Sequence, residues 1–343
     1  MKPFFAALLF FVITGITTTN AQKSVDKVKF FTDTAVVNAT LKFNFKKIMS
    51  DKDKIGALFP ATLSCKMNDG LDVNDHITLE VRGHFRRSYC YLPPLKVIFK
   101  NDSTAAFYQL KSLKLVSPCM ATRPDDQNLL KEYVIYKIYN LITDKSFRVR
   151  LLNLNYQDSS GKKKTITQHA FLIEDVKQTA KRNECVDWTD HRTPTEKTNR
   201  KQMTIVNIFE YMIGNTDWSV TGSHNIKLVH SKSDSVSRPF VVPYDFDFSG
   251  LVGTNYSAPD ERLGIANVKE RLYRGFPRTI EEVNEALEIF KKQKENIYAT
   301  INNFSLLTNN SKKEMTLYLD DFFETISSKN QVKNVFVDGA RTQ

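Results

Sequence analysis

Hydrophobic and polar residues alternate with a period of two over residues 77–82 and 95–100, where Leu95, Val97 and Phe99 share one face and Lys96, Ile98 and Lys100 the other. That period predicts half-buried β-strands. Arg82-Gly83 ends the first run and Pro93-Pro94 opens the second, so the two are expected as neighbouring strands joined by a basic loop over 84–92. Most of 28–156 reads as strand. Over 126–141 the period changes, because Leu130, Tyr133, Val134, Ile138 and Leu141 form one stripe behind the start signal Pro124-Asp125-Asp126. One helix inserted among strands is the expected result. Strands resume at 146–156 and 165–174 around the turn Asp158-Ser159-Ser160-Gly161. Beyond Lys177 the pattern becomes helical, with helices predicted at 201–213, stopping at Gly214, and at 280–304 and 311–327.

This order predicts an α+β chain with a stranded part over 22–176 and a helical part, carrying the candidate chemistry, over 177–343. The N-terminus stands apart. Lys2, an apolar run over 4–16 and a polar stretch over 17–21 predict a secretory signal peptide ending at Ala21. The run is shorter than the roughly 20 residues that cross a bilayer, and no later stretch is long enough, so no integral membrane segment is expected once the leader is removed. The expected location is extracytoplasmic, either periplasmic or secreted. The net charge of +11 is scattered apart from Lys162-Lys163-Lys164 and the region 197–201, which read as solvated surface. No recognition motif accompanies the charge, and nucleic acid is not an expected partner. Cys65, Cys90, Cys119 and Cys185 lack zinc-site spacing. In an oxidising compartment they predict disulfides, with Cys90–Cys119 the preferred pair and three full pairings open.

The chemistry concentrates in Gly214-Asn215-Thr216-Asp217-Trp218, Ser223-His224-Asn225-Ile226-Lys227 and Pro243-Tyr244-Asp245-Phe246-Asp247-Phe248. Two carboxylate sites and an asparagine about one hairpin apart supply the groups that phosphoryl transfer uses for a base and for magnesium. The chain resembles the CotH-like atypical kinases, and within them a secreted bacterial branch. The resemblance covers roughly 77–250. It rests on Val81-Arg82-Gly83-x-Phe85-Arg86-Arg87, the strand Pro94-Leu95-Lys96-Val97-Ile98-Phe99, Glu174 after Phe171-Leu172-Ile173, Tyr211-Met212-Ile213-Gly214-Asn215-Thr216-Asp217-Trp218, and Asp245-Phe246-Asp247-Phe248-Ser249-Gly250-Leu251.

The resemblance implies a bilobal protein-kinase-like fold with an antiparallel-sheet N-lobe holding one inserted helix and a mainly helical C-lobe. It implies an ATP- and magnesium-dependent phosphotransferase, manganese being an alternative ion, acting on a protein or glycan hydroxyl. Asp217 would orient or deprotonate the acceptor, and Asn225 and Asp245 would hold the metal. Lys96 would anchor phosphate with Glu132 as its ion-pair partner, Arg82 would help bind phosphate, and Glu174 would mark the adenine hinge. Lys100 shares the face of Lys96, and Glu80 is a second available partner. The chain has no Gly-x-Gly-x-x-Gly loop and no His-Arg-Asp triplet, Asn225 follows Asp217 by eight residues, and Trp218 stands where related folds often carry a basic residue.

Structural readings stand beside the functional ones. Asp217 suits a turn or cap, and Asp245 and Asp247 suit a solvated strand face. Lys96 suits an exposed strand position, Glu132 and Glu174 surface or ion-pair roles, Arg82 an ion pair that holds the fold, and His224 a structural neighbour of Asn225. At the level of the whole protein, the alternatives are a non-catalytic binding or cell-surface structural protein and a two-carboxylate hydrolase such as a glycosidase.

Overall fold

The computed structural model describes residues 27–102 and 105–341, so the expected signal peptide at 1–21 lies outside the described residues. The first seven strands are β1 (Val37–Phe43), β2 (Leu58–Lys66), β3 (Asp72–Val81), β4 (Leu95–Phe99), β5 (Ser112–Val116), β6 (Val149–Asp158) and β7 (Ile166–Ile173). They close into a barrel in the order β1-β2-β3-β4-β5-β7-β6. Three short helices, α1 (Lys27–Thr32), α2 (Phe45–Asp51) and α3 (Phe85–Tyr89), decorate it, and the inserted helix is α4 (Arg123–Ile142). The expected neighbours β3 and β4 pair antiparallel, with Leu79 opposite Val97 and Glu80 opposite Lys96.

The closed barrel overturns the expected bilobal kinase-like fold with its antiparallel-sheet lobe, while the α+β class stands. The reason lies in β1. Its burial alternates strictly enough to give one apolar face, and both its edges are used, one antiparallel by β2 and one parallel by β6. A sheet whose outermost strands meet has no edge left, so it becomes a mixed barrel rather than an open lobe. Leu41, Phe43, Leu79, Leu95, Val97, Leu115 and Leu154 fill its interior. Lys96 and Lys114, on the alternate positions of β4 and β5, therefore stand on the outer wall.

Helices α5 (Val176–Arg182), α6 (Arg200–Ile213), α7 (Ile280–Asn302), α8 (Asn309–Ser327) and α9 (Lys329–Val332) make the second half, with a small sheet of β8 (Cys185–Asp187), β9 (Ile226–Ser231) and β10 (Phe240–Pro243) ordered β10-β9-β8. Side chains at the helix starts explain the boundaries. Thr122, Asn199, Thr279 and Thr308 each accept a hydrogen bond from a first-turn N–H, and Thr279 with Glu282 forms a capping box. Helix α4 packs Leu130, Val134 and Ile138 into the same core as Phe209, Met212, Phe290 and Phe322, and so joins the barrel's outer wall to the helices. No helix among the described residues is long and apolar enough to cross a membrane. Cys90 and Cys119 form the expected disulfide, with Cα atoms 4.6 Å apart. Cys90 closes the short helix α3.

One charge pair ties the start of the described chain to the barrel. Arg150 on β6 is 1% exposed, and its guanidinium donates to the Asp33 carbonyl and to Asp33 Oδ2 at 2.9 Å. Asp33→Ala leaves that guanidinium buried without its counter-charge and is expected to cost roughly 2 kcal/mol, less than a fully buried pair because Asp33 is partly solvated. A urea midpoint unchanged from the parent would show that the pair does not anchor this segment. The Arg150 guanidinium and the Ala35 N–H hold the Asp33 carboxyl down to about 2 from 3.8. Since the folded value is the lower one, this stabilisation is complete above the unfolded value and is lost as pH falls through about 2.

Candidate functional site

Asp217 sits three residues beyond Gly214, which takes the left-handed conformation, φ 66°, and ends α6. A Cβ at Gly214 would lie 1.9 Å from the Tyr318 hydroxyl, so both the turn and the close approach require glycine. Asn215 then shapes the loop: its Oδ1 accepts from the Asp217 N–H at 3.0 Å and its Nδ2 donates to Glu210 Oε2 at 2.9 Å. Burial pushes the Glu210 carboxyl up to about 8 against the opposing Asn215 bond. The far side of the loop is tied down by Gly250 and Leu251, whose N–H groups donate to the Gly214 and Ile213 carbonyls.

The three residues expected to carry the chemistry come together. Asn225 Nδ2 donates to both the Asp217 carbonyl, 2.8 Å, and Asp217 Oδ2, 2.9 Å. His224 Nε2 lies 2.8 Å from Asp217 Oδ1. The eight-residue separation is bridged by a reversal in which Ser219 pairs with His224. Asp245 arrives from the other strand of the β9–β10 hairpin: Pro243 lies opposite Ile226, and the Tyr244 N–H donates to the Asn225 carbonyl at 3.0 Å. Asn225 and Asp245 both have left-handed backbones, φ 52° and 69°. Such conformations are uncommon outside glycine and are tolerated best by Asn and Asp. Asp245 is held there by its neighbours. Tyr136 on α4 accepts from the Asp245 N–H at 2.9 Å, and Phe246 is fully buried between Tyr136 and Phe209.

The Asn225 Nδ2 bonds leave its Oδ1 without a partner among the described residues, and the Asp245 carboxylate likewise makes no hydrogen bond or ion pair there. These are oxygen donors one residue apart across the hairpin. Among the described residues no group of three or more His, Cys, Asp or Glu is placed to hold a metal ion. An amide oxygen with one carboxylate does match magnesium, which retains waters and is bound through one or two carboxylates plus substrate phosphates. The donor chemistry therefore fits the ion expected from the sequence.

The cationic side of the site differs from the expectation. Lys96 Nζ lies 3.0 Å from Glu80 Oε2, its cross-strand neighbour, so Glu80 and not Glu132 is its ion-pair partner. Glu132 is 2% exposed and belongs to a separate buried cluster. Burial, then the Asp247 and Asp245 carboxylates, push its carboxyl well above the ordinary range, with Arg86 opposing. Its Oε1 has no partner. In that cluster Asp247 Oδ2 accepts from the Tyr256 hydroxyl at 2.8 Å and lies 3.4 Å from Arg86 Nη1, while burial and Asp245 raise the Asp247 carboxyl. Glu174 is likewise engaged: Oε2 accepts from the Arg148 N–H, Thr179 Oγ1 and Arg182. It borders the cleft described next, but its side chain serves the fold.

Directly opposite Lys96 on β5 stands Lys114, which sequence reasoning passed over. Its ammonium lies 3.5 Å from the centroid of the Tyr244 ring and makes no ion pair among the described residues. With Arg82, Lys96 and Lys227 it lines a cleft of about 320 Å³ whose apolar wall includes Leu113, Phe147 and Ile173. Arg82 is fixed at the barrel rim, its Nε donating to the Leu95 carbonyl and its Nη2 to that of Leu115. Burial, then the Arg82 charge, lower Lys114 from 10.5 to about 7, against the pull of Asp245. The alternation Ser112-Leu113-Lys114-Leu115 repeats that around Lys96, so a signal was present; the cross-strand register that sets the two lysines side by side was not.

Asp217 borders a second cleft, of about 550 Å³, whose lining shares no residue with the first. Arg274 is among its lining residues. It donates to the Thr216 and Trp218 carbonyls and lies 5.3 Å from the Trp218 ring centroid. The chain matches no protein-family model and none of the curated proteins, so the reading of this site stands on its own residues.

Proposed function

We propose that this protein is an extracytoplasmic, CotH-like phosphotransferase that moves the terminal phosphoryl group of ATP to a protein or glycan hydroxyl. The observation that carries the reading is the hydrogen-bonded Asp217–Asn225 pair with Asp245 beside it on the hairpin; Asp217 lines the polar cleft, and Lys227 and Tyr244, near neighbours of Asn225 and Asp245 in the chain, line the cationic one. The cationic cleft offers phosphate two lysines without ion-pair partners among the described residues, Lys114 and Lys227, and an apolar wall for a base. Asn225 Oδ1 and Asp245 would hold magnesium, which when bound neutralises charge that spreads over the phosphoryl oxygens. The acceptor oxygen forms its bond to the γ-phosphorus as the bond to the β–γ bridging oxygen breaks. The hydroxyl proton passes to Asp217 and the electron pair leaves with ADP. The Cys90–Cys119 disulfide is compatible with an oxidising compartment.

Calorimetric titration with ATP in the presence of magnesium or manganese tests the reading, followed by transfer of labelled γ-phosphate. Metal-dependent binding with phosphate transfer supports it. Absence of binding with either metal would sink it and favour a non-catalytic binding or structural protein.

Lys114 makes the binding step pH-dependent. A bound polyphosphate favours the charged ammonium, so above about pH 7 binding takes up a proton, and affinity is expected to fall by up to about tenfold per pH unit. Lys114→Ala should flatten that slope, whereas Lys96→Ala should leave it intact. An equal slope in the Lys114 variant would remove this lysine from the phosphate site.

A further inference from the structure

The second cleft carries information about the acceptor. The chain contains Phe 24, Tyr 13 and Trp 2, yet among the described residues the exposed aromatic side chains are Phe85, Tyr89 and Tyr91, all within seven residues. They lie on or next to α3, a five-residue helix with no buried residue. A helix that buries nothing is not held by packing. This one is pinned by Arg86, which reaches inward to Asp247 and donates to the Ser117 carbonyl at 2.5 Å, and by the Cys90–Cys119 disulfide at its end.

Phe85 and Tyr89 stack with ring planes 18° apart and centroids 5.3 Å apart. Phe85 also meets Phe248 at 6.0 Å and Tyr256 at 6.1 Å, and Phe248 is part of the wall of the cleft that contains Asp217. The ring ledge is thus continuous with the candidate catalytic centre. The cleft beyond it is charge-balanced in a strongly basic chain. Asp217 and Asp260 stand with Arg262 and Arg274, and Arg262 is paired to Asp260 through its Nε at 2.9 Å. A cleft with paired charges selects neither an acidic nor a basic peptide, but offers donors and acceptors to neutral hydroxyls. A pyranose ring matches both parts, because its C–H face is drawn to the negative face of an aromatic ring while its hydroxyls lie at the rim.

We propose that the ledge of Phe85, Tyr89, Phe248 and Tyr256, with the cleft beside Asp217, is a saccharide subsite, so that the hydroxyl offered for phosphorylation belongs to a glycan. The assignment of the hydroxyl rests on the phosphotransferase reading; the saccharide site does not.

Saturation-transfer NMR on the disulfide-intact chain, without nucleotide or metal, tests it with cellotetraose, chitotetraose, mannotetraose and a neutral serine-containing peptide. At least one oligosaccharide is expected to bind, and Tyr89→Ala and Phe85→Ala are each expected to weaken it by about tenfold, the value of one lost ring contact. Both positions are exposed, so retained near-ultraviolet dichroism and an unchanged thermal midpoint would certify the fold of the variants. Failure of all three sugars, binding unaffected by both ring variants, or peptide binding lost in Tyr89→Ala would overturn the proposal. Sugar binding by a protein that fails to bind ATP would leave the saccharide site standing and remove the phosphotransferase reading. ATP binding and hydrolysis with no sugar bound would do the reverse.

Discussion

Asp245→Asn is expected to weaken magnesium-dependent ATP binding by about 100-fold, roughly 2.7 kcal/mol, while leaving the fold intact. Asparagine is the informative substitution. The Asp245 backbone is left-handed at φ 69°, a conformation that Asn tolerates and that costs an alanine about 1 kcal/mol. Asp245→Ala would therefore mix backbone strain with lost charge. The amide keeps the hairpin geometry and the Tyr136 bond to the Asp245 N–H, and removes only the anionic oxygen that would face the cation.

The consequences for stability run both ways and nearly cancel. Neutralising Asp245 relieves repulsion with Asp247 and Glu132, whose carboxyls it raises, and takes away an acidic charge that favours charged Lys114. An unfolding free energy from urea titration within about 1 kcal/mol of the parent is expected on that ground. Calorimetry in parallel with magnesium, manganese and no metal checks the binding part. If the variant binds ATP as the parent does in every condition, Asp245 is not part of the site.

Much of the fold could be read from local pattern. The strands at 77–82 and 95–100 and the helix at 126–141 correspond to β3, β4 and α4, because their periods are set by residues that alternate or recur on one face regardless of distant partners. The parallel pairing of β1 with β6 was not legible, since it joins segments more than a hundred residues apart and parallel pairing leaves no short turn signal between them. That single pairing separates a closed barrel from the open lobe that the motif order suggested.

The same division runs through the site. Asp217, Asn225 and Asp245 were singled out through the motif resemblance, and the structure places Asn225 against Asp217 and Asp245 across the hairpin. Lys96 and Glu132 illustrate the limit. Both lie on elements that were read correctly, yet their partners depend on which strand or loop stands opposite. Register gives Lys96 to Glu80, and the approach of α4 to Phe246 places Glu132 with Arg86 and Asp247. Arg274 and Tyr256 were missed for a simpler reason: they sit in the irregular stretch after Gly250, where no periodicity assigns a face.

Asp217→Asn is expected to lower phosphoryl transfer by about 10³-fold while ATP affinity stays within about threefold, the signature of a base that acts only as the acceptor attacks. The separation of the two effects follows from the way Asn225 is held. Its Nδ2 donates to the Asp217 backbone carbonyl as well as to Oδ2, and the first bond survives the substitution. Asn225 therefore keeps its place at the proposed metal position, and only the proposed proton acceptor is lost. His224 supplies the internal control. It holds Asp217 Oδ1 from the solvent side, with its own side chain 56% exposed, so His224→Ala should free one oxygen without removing the base and lower transfer by about tenfold. Should His224→Ala match Asp217→Asn, and the double variant be no worse than either, the two residues work as one proton-accepting unit. Transfer above a tenth of the parent rate in Asp217→Asn would take Asp217 out of the chemistry and leave it as the residue that orients Asn225.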